Sequence, residues 1–332
     1  MAPRPPHPAR RCLLRTGAVA AAVLVLLVWW LLPSDRRPVP GGRISVATGA
    51  PSGVYAKYGT LLKEDLARDL PDLDVTIRYS RGSPDNIRLL TSGRADFVLA
   101  ASDAVAAYLD EEQPGAHRLR ACARLYDDYI HLVVRKDSPV QSARDLKGLR
   151  IGVGADESGV QLISRRLLAA AQLDFDRDVR PVRVGLDKAI ALLESGELDA
   201  FFWSGGLPTT AIGSLGKRTP VRLVQLGDLV GPLHAQGPQM RFYRAAVMPV
   251  DAYPELHAAG AVNTIAVANL LLTLDSTDPE LTEGITRTVI RSRDRIGTYV
   301  HAAQKVDLRT AVFTDPVQLH AGARRYYVSV KP

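Results

Sequence analysis

Cysteine is scarce in this chain, and its few copies are badly placed for pairing. Only Cys12 and Cys122 occur in 332 residues, and the uncharged apolar run 16–32 separates them. A chain exported beyond that run keeps Cys122 alone, which excludes an intramolecular disulfide. The roughly 290 residues that follow must hold together through core size, which is ample for that length. Histidine is thinly spread too. His7, His117, His131, His234, His257, His301 and His320 form no pair at metal-ligand spacing. No H-E-x-x-H and no G-x-S-x-G occurs. "GSLGKRT" lacks the spacing and the hydroxyl of a phosphate loop, and the third glycine of "GVGADESG" comes two positions late for a dinucleotide fingerprint. No acid–base constellation, cofactor site or metal site emerges, so an enzyme is the least supported class.

The formal charge of +7 points toward nucleic acid until it is located. Seven basic residues up to Arg43 (Arg4, Arg10, Arg11, Arg15, Arg36, Arg37 and Arg43) face one acid, Asp35. The remainder carries 35 basic against 34 acidic residues, so no basic face remains for nucleic acid. The basic excess brackets "TGAVAAAVLVLLVWWLL", 17 uncharged residues at the short end for a bilayer span and the long end for a signal-peptide core. Arg10–Arg11 before Leu13 and Leu14 resembles a twin-arginine export signal. No A-x-A site follows Leu32, and Trp29 and Trp30 stand where interfacial tryptophans anchor helices. Residues 1–42 are therefore expected to be a signal peptide or signal anchor plus linker. Retention in the membrane through 16–32 is favoured over cleavage, with an extracytoplasmic body.

Beyond "PVPGG", apolar runs alternate with helical patterns. "RISVAT", "DVTIRYS" and "DFVLAAS" read as strands. "YAKYGTLLKEDLARDL" and "SPDNIRLLTSGRA" read as the helices between them. The order recurs in "LRIGVG", "VQLISRRLLAAAQL", "VRPVRVG", "LDKAIALLESGEL" and "DAFFWSGG". Such β-α-β alternation predicts α/β structure, with mainly parallel sheets flanked by helices, in two similarly built lobes. The expected division is 43–135 with 265–332 as lobe 1 and 136–264 as lobe 2. Strands near 129–135 and 265–273 would cross between them as a hinge.

Five strand-to-helix junctions carry the side chains of interest. Gly49-Ala50-Pro51-Ser52-Gly53-Val54-Tyr55 offers bare backbone at a helix start; it reads either as an anion site or as a capped tight turn. "RGSPDNIRLL" places Ser83 at an N-cap and Asn86 one turn along, either facing a ligand or only capping. "AASDAV" brings Ser102 and Asp103 to a third junction, "ADESGV" brings Asp156, Glu157, Ser158 and Gly159 to a fourth, and "FFWSGG" brings Trp203, Ser204 and Gly205 to a fifth. Open α/β sheets bind ligands at the carboxyl ends of strands.

The run "ATGAPSGVYAKYG…YSRGSPDNIRLLTSGRADFVLAASD" resembles the TAXI family of solute receptors for tripartite TRAP transporters. There, T-G-x-x-G-G-x-Y is followed by S-x-x-N-x-x-x-L-x-x-G-x-x-D. The likeness continues through "LYDDYIHLVVRKDSPVQSARDLKGLRIGVG", "AFFWSGGLPTTAI" and "MPVDAYPEL…VNTIAVANLL", covering nearly everything after Gly42. The resemblance implies a two-lobed fold of the type II periplasmic-binding-protein kind, closing without cofactor or metal on a small carboxylate such as glutamate and delivering it to a TRAP permease. Carried over by position, Gly49, Ser52, Gly53, Val54 and Tyr55 would hold the carboxylate. Ser83, Asn86, Ser102 and Asp103 would complete one wall, and Ser158, Gly159, Trp203 and Gly205 the other. A double change of Ser83 and Asn86 to alanine would then weaken binding without unfolding the chain.

Four positions depart from the family pattern. Ser52 replaces a glycine, Val160 stands where a threonine is common, and Asp156 and Glu157 replace small neutral residues. Two carboxylates beside an anion site repel a dianion and suit an amine, unless both face solvent at the helix start. An N-terminal anchor also fits an alternative, a tethered sensor that reports ligand closure to a partner kinase.

Overall fold

A computed structural model describes residues 41–331. The apolar segment 16–32, its paired arginines and the expected anchor lie outside those residues. Among the described residues, no helix is long and apolar enough to cross a membrane.

The first three strands, β1 (Gly42–Ala47), β2 (Leu73–Arg78) and β3 (Phe97–Ala101), are joined by helices α1 (Val54–Asp69) and α2 (Ser83–Thr91), and α3 (Ser102–Asp110) follows β3 directly. β1 pairs in parallel with both β2 and β3, as βαβ crossovers require. Strand β4 (Leu119–Arg135) follows. Next come β5 (Arg150–Gly152), α4 (Gly159–Ala170), β6 (Arg180–Val182), α5 (Leu186–Glu194) and β7 (Ala200–Gly205), a second parallel block in which β5 lies between β6 and β7. After α6 (Thr210–Arg218), β8 (Val221–Leu223), α7 (Val230–His234) and β9 (Tyr243–Met248), the long β10 (Val262–Leu274) returns, and α8 (Pro279–Arg291), α9 (Arg293–Gly297) and α10 (Ala321–Ser329) close the chain.

All ten strands of the described residues share one sheet, ordered β2-β1-β3-β10-β4-β7-β5-β6, with β8 on β4 and β9 on β10. The parallel blocks sit at its two ends, and the antiparallel pair β4–β10 forms its middle. At about 3.3 Å per residue, the 17 residues of β4 run some 55 Å. That length lets one strand serve both blocks, which is why the body packs as a single unit.

Side chains alternate between the faces of the sheet and feed four cores. At one end, Phe97 and Leu99 pack with Tyr58, Leu62 and Leu66 of α1 and with Val289 of α8. Val98 and Ala100 point to the opposite face, with Ile87, Leu90 and Val105. At the other end, Leu132 and Val134 meet Leu167 of α4 and Phe202. Val133 and Phe201 meet Leu193 of α5 and Leu215 of α6. With both faces covered, the strands read as near-continuous apolar runs. The pairing of β10 with β4 slips between Ala268 and Leu270. Such irregularities re-aim side chains, and the residue at this one is Asn269.

Candidate functional site

The ends of β1, β3 and β7 and the starts of α1, α2, α4 and α5 converge on a cavity of about 220 Å³. That exceeds the ~150 Å³ that encloses a benzene and suits one small molecule. Its wall is largely apolar, with Val54, Val160, Ile163, Leu186, Phe202 and Trp203 contributing.

Two backbone devices make the helix starts approachable. Gly53, the N-cap of α1, is extended and supplies no capping side chain, and its own N–H donates to the Ala50 carbonyl. The first-turn N–H groups of α1 are thus left without a side-chain cap, beside the cavity. At α4, Ser158 caps the Gln161 N–H. Gly154 lets the preceding loop turn back: its φ is +89°, and a Cβ there would stand 2.7 Å from Ser158 Oγ. The two sides approach closely. A Cβ on Gly82, the α2 N-cap, would lie 3.6 Å from the Gly159 nitrogen.

The cavity floor is a hydrogen-bonded chain of buried polar groups. The Ala101 N–H donates to Ser83 Oγ at 3.0 Å, and Ser83 Oγ lies 3.2 Å from the Tyr55 hydroxyl. That hydroxyl donates to Asn269 Oδ1, and Asn269 Nδ2 donates to Asp128 Oδ1 at 2.8 Å. Burial lifts the Asp128 carboxyl to a pKa of about 7; Asp103 and Asp127 push the same way, while bonds from Asn269 and Ser204 oppose them. Burial also raises the Tyr55 hydroxyl well above the usual tyrosine range, and the charge of Asp128 adds to it. Asp103 accepts from the Tyr243 hydroxyl at 2.6 Å and pairs with Arg166 at 3.4 Å. The Arg166 guanidinium is itself partly buried and donates to the Tyr243 hydroxyl at 2.8 Å.

The mouth is spanned by polar contacts between the two sides. Arg81 and Arg88, at the α2 end, reach Glu157 before α4 at 2.8 and 3.0 Å. Ser52 Oγ donates to Asp187 of α5 at 2.8 Å. Glu157 takes a left-handed backbone, φ 59°, at the apex of its loop. Asp156 turns the other way, toward Gln161 at 3.0 Å and Arg183 at 3.6 Å. Neither acid lines the cavity. The two carboxylates that departed from the family pattern are spent on surface pairs.

Ten of the thirteen residues expected from sequence line the cavity: Gly49, Gly53, Val54, Tyr55, Ser83, Asp103, Ser158, Gly159, Trp203 and Gly205. Three lie off it. Ser52 is exposed at the mouth. Asn86 is fully buried and donates Nδ2 to the carbonyls of Thr48 and, at 2.7 Å, Leu99, tying β1 to β3. Ser102 is 1% exposed and faces the interior. Sequence reasoning passed over Asp128 and Asn269, which sit inside the long strands with no turn or glycine beside them. The only available signal was an acid and an amide interrupting apolar runs, "LYDDYIHLVV" and "IAVANLLLTL". Arg81, Gly82 and Leu186 at the helix starts were likewise not singled out.

The family model of the NMT1-like family matches residues 46–329. Among solved structures, a protein of Bordetella bronchiseptica RB50 is 20% identical, covering 87% of this chain and 90% of its own, with a TM-score of 0.50. A Listeria monocytogenes protein described as a candidate L-cystine ABC transporter is 14% identical, covering 80% and 98%, also at 0.50. The periplasmic aliphatic sulphonate binding protein SsuA of Escherichia coli is 15% identical, covering 88% and 84%, at 0.48. Together with the sheet order, the likenesses at 0.50 show that the chain shares the α/β fold of the Bordetella and Listeria proteins.

Proposed function

This chain belongs to the NMT1-like family, and from that premise we propose that it is an extracytoplasmic receptor that encloses one small organic acid or amino acid in the cavity between its two parallel blocks. One observation carries the reading: strand ends and helix starts from both blocks converge on a small, mostly apolar cavity whose mouth is spanned by side chains of both sides. The ligand's carboxylate rests on the uncapped start of α1, near Gly53, Val54 and Tyr55, where the first N–H groups and the helix dipole favour an anion. Ser83 lies beside it, and Ser158 and Gly159 close from the far side. The lobes are 43–135 with 265–332 and 136–264, and β4 and β10 flex between them as solute enters and leaves.

The narrower assignment, a TAXI-type receptor serving a TRAP permease, is supported by the order and spacing of the sequence motifs, and a tether through 16–32 by the uncharged apolar run with Trp29 and Trp30 at its end. A thermal-shift panel of amino acids, dicarboxylates and keto acids on residues 43–332 tests the receptor reading. A ligand at a hundred times its dissociation constant adds about 2.7 kcal/mol of stability. A folded, ligand-free protein that no member of the panel stabilises would sink the proposal.

A further inference from the structure

Among the described residues, the cavity floor holds two carboxylates but only one counter-charge. Asp103 and Asp128 both line it, 3% and 5% exposed. Asp103 has Arg166. The other cations nearby are committed elsewhere: Arg124 and Arg244 to Asp127 at 2.6 and 2.7 Å, Lys305 to the Tyr129 hydroxyl at 2.9 Å, and Arg81 to Asp85 and Glu157. Among the described residues, no cation pairs with Asp128. A buried carboxylate without one is costly, so the group either holds a proton or waits for a positive charge to arrive. Asn269 fixes one of its oxygens from the side while the residue lines the cavity.

We propose that Asp128 is the residue that reads the charge of the ligand: its carboxylate takes the ammonium group of a small zwitterion or amine at the cavity floor. This rests on the receptor reading and narrows it, from organic acids in general to solutes that carry a primary ammonium. An amino acid then lies with its carboxylate toward the start of α1 and its ammonium toward β4. The empty site holds a largely protonated Asp128 below neutrality. The arriving ammonium favours the carboxylate, so the Asp128 O–H bond breaks and its proton leaves to the buffer while the ligand keeps its own. The groups that face Asp128 are Asp103 from α3, Tyr55 from α1, and Asp127 and Tyr126 from β4 itself, with the Ser204 hydroxyl from β7. None of them supplies a positive charge.

Matched triplets test this by calorimetry and thermal shift on the wild type and on Asp128→Asn. Each triplet is an amino acid, its 2-hydroxy acid and its decarboxylated amine, on aliphatic, aromatic and dicarboxylic skeletons. The wild type is expected to bind an amino acid at least about tenfold tighter than its hydroxy acid, and Asp128→Asn to abolish that preference. Hydroxy acid bound as well as amino acid by the wild type leaves the receptor reading standing and overturns the role of Asp128. No binding by any member overturns both. Calorimetry of the wild type in buffers of different ionisation enthalpy needs no variant. With a carboxyl titrating near 7, close to one proton should be released per ligand at about pH 6 and close to none at about pH 8.5. Equal heats in all buffers at the lower pH would overturn the inference.

Discussion

Asn269, on β10, donates its amide hydrogen to Asp128, on β4, across the centre of the sheet at 2.8 Å, and its carbonyl oxygen accepts from the Tyr55 hydroxyl. One side chain thus serves the floor of the cavity and the seam of the two long strands, at the point where their register slips. Replacing Asn269 by leucine keeps much of the volume but takes one hydrogen bond from each of two buried groups, leaving Tyr55 with Ser83 and Asp128 with Ser204. Each lost bond costs about 0.5–1.5 kcal/mol, so a loss of roughly 1–3 kcal/mol is expected in urea denaturation. A loss below 0.5 kcal/mol would show that neither partner depends on it.

Asp128 should make the empty protein less stable as the pH rises. Its folded pKa, about 7, lies above the unfolded value near 3.9, so the folded chain holds more protons between them. The stability it contributes is fully present below pH 4 and is lost as pH rises through 7. The full span is of the order of 4 kcal/mol at most. His131 opposes this slope. It is buried against Tyr253 at 2.8 Å with its pKa lowered to about 4, so its own contribution is lost as pH falls from 6.5 toward 4. The difference between wild type and Asp128→Asn, followed from pH 5 to 8.5, isolates the Asp128 term; parallel curves would refute it.

Glu157→Gln should leave the fold alone and loosen the mouth. Arg81, Arg88 and Glu157 are all at least a third exposed, so their pairing contributes under about 1 kcal/mol to folding. It joins the two sides only when they are together, and so acts on ligand escape. Faster dissociation in stopped flow, by a few-fold and more strongly at low salt, is the expected result. An unchanged off-rate at low salt would mean that the contact does not restrain opening.

Ser83 and Asn86 lie one helical turn apart, yet the structure separates their roles. Ser83→Ala is expected to weaken ligand binding and, because it takes the acceptor from the buried Ala101 N–H, to cost about 1–3 kcal/mol of stability as well. Asn86→Ala removes both ties from the junction of β1 and β3 and should cost about 2–4 kcal/mol of stability. A double change, which the sequence alone predicts to be silent in stability, should therefore unfold early. Thermal melts of the two single variants decide it.

The β-α-β order, the junctions and the central crossing strands were legible because each has a local signature: apolar runs of strand length, a glycine or serine where a helix begins, and proline in the first turn of α2. Ser83 reads from sequence as the cap of α2, but Gly82 takes that place with no side-chain bond, whereas Ser158 does cap α4. Asn86 and Ser102 were misplaced because spacing along a helix does not tell which face a sheet covers. Their polar side chains look like site residues until β1 and β3 are seen to bury them. Asp128 stayed hidden for the opposite reason. It interrupts a strand whose partner, β10, lies more than a hundred residues away, and only the assembled sheet shows that the cavity lies above it.

The central place of β10 also bears on how the chain folds. β3 and β4, the inner edges of the two blocks, both wait for a strand that begins at Val262. Until then each shows a row of unpaired backbone groups lined with valine, leucine and isoleucine, the kind of edge that templates aggregation. Closing loops of this length delays the reward for pairing, which slows folding. Synthesis must therefore run past Val262 before the inner edge of either block is covered, and a product that stops short of it exposes two sticky edges at once.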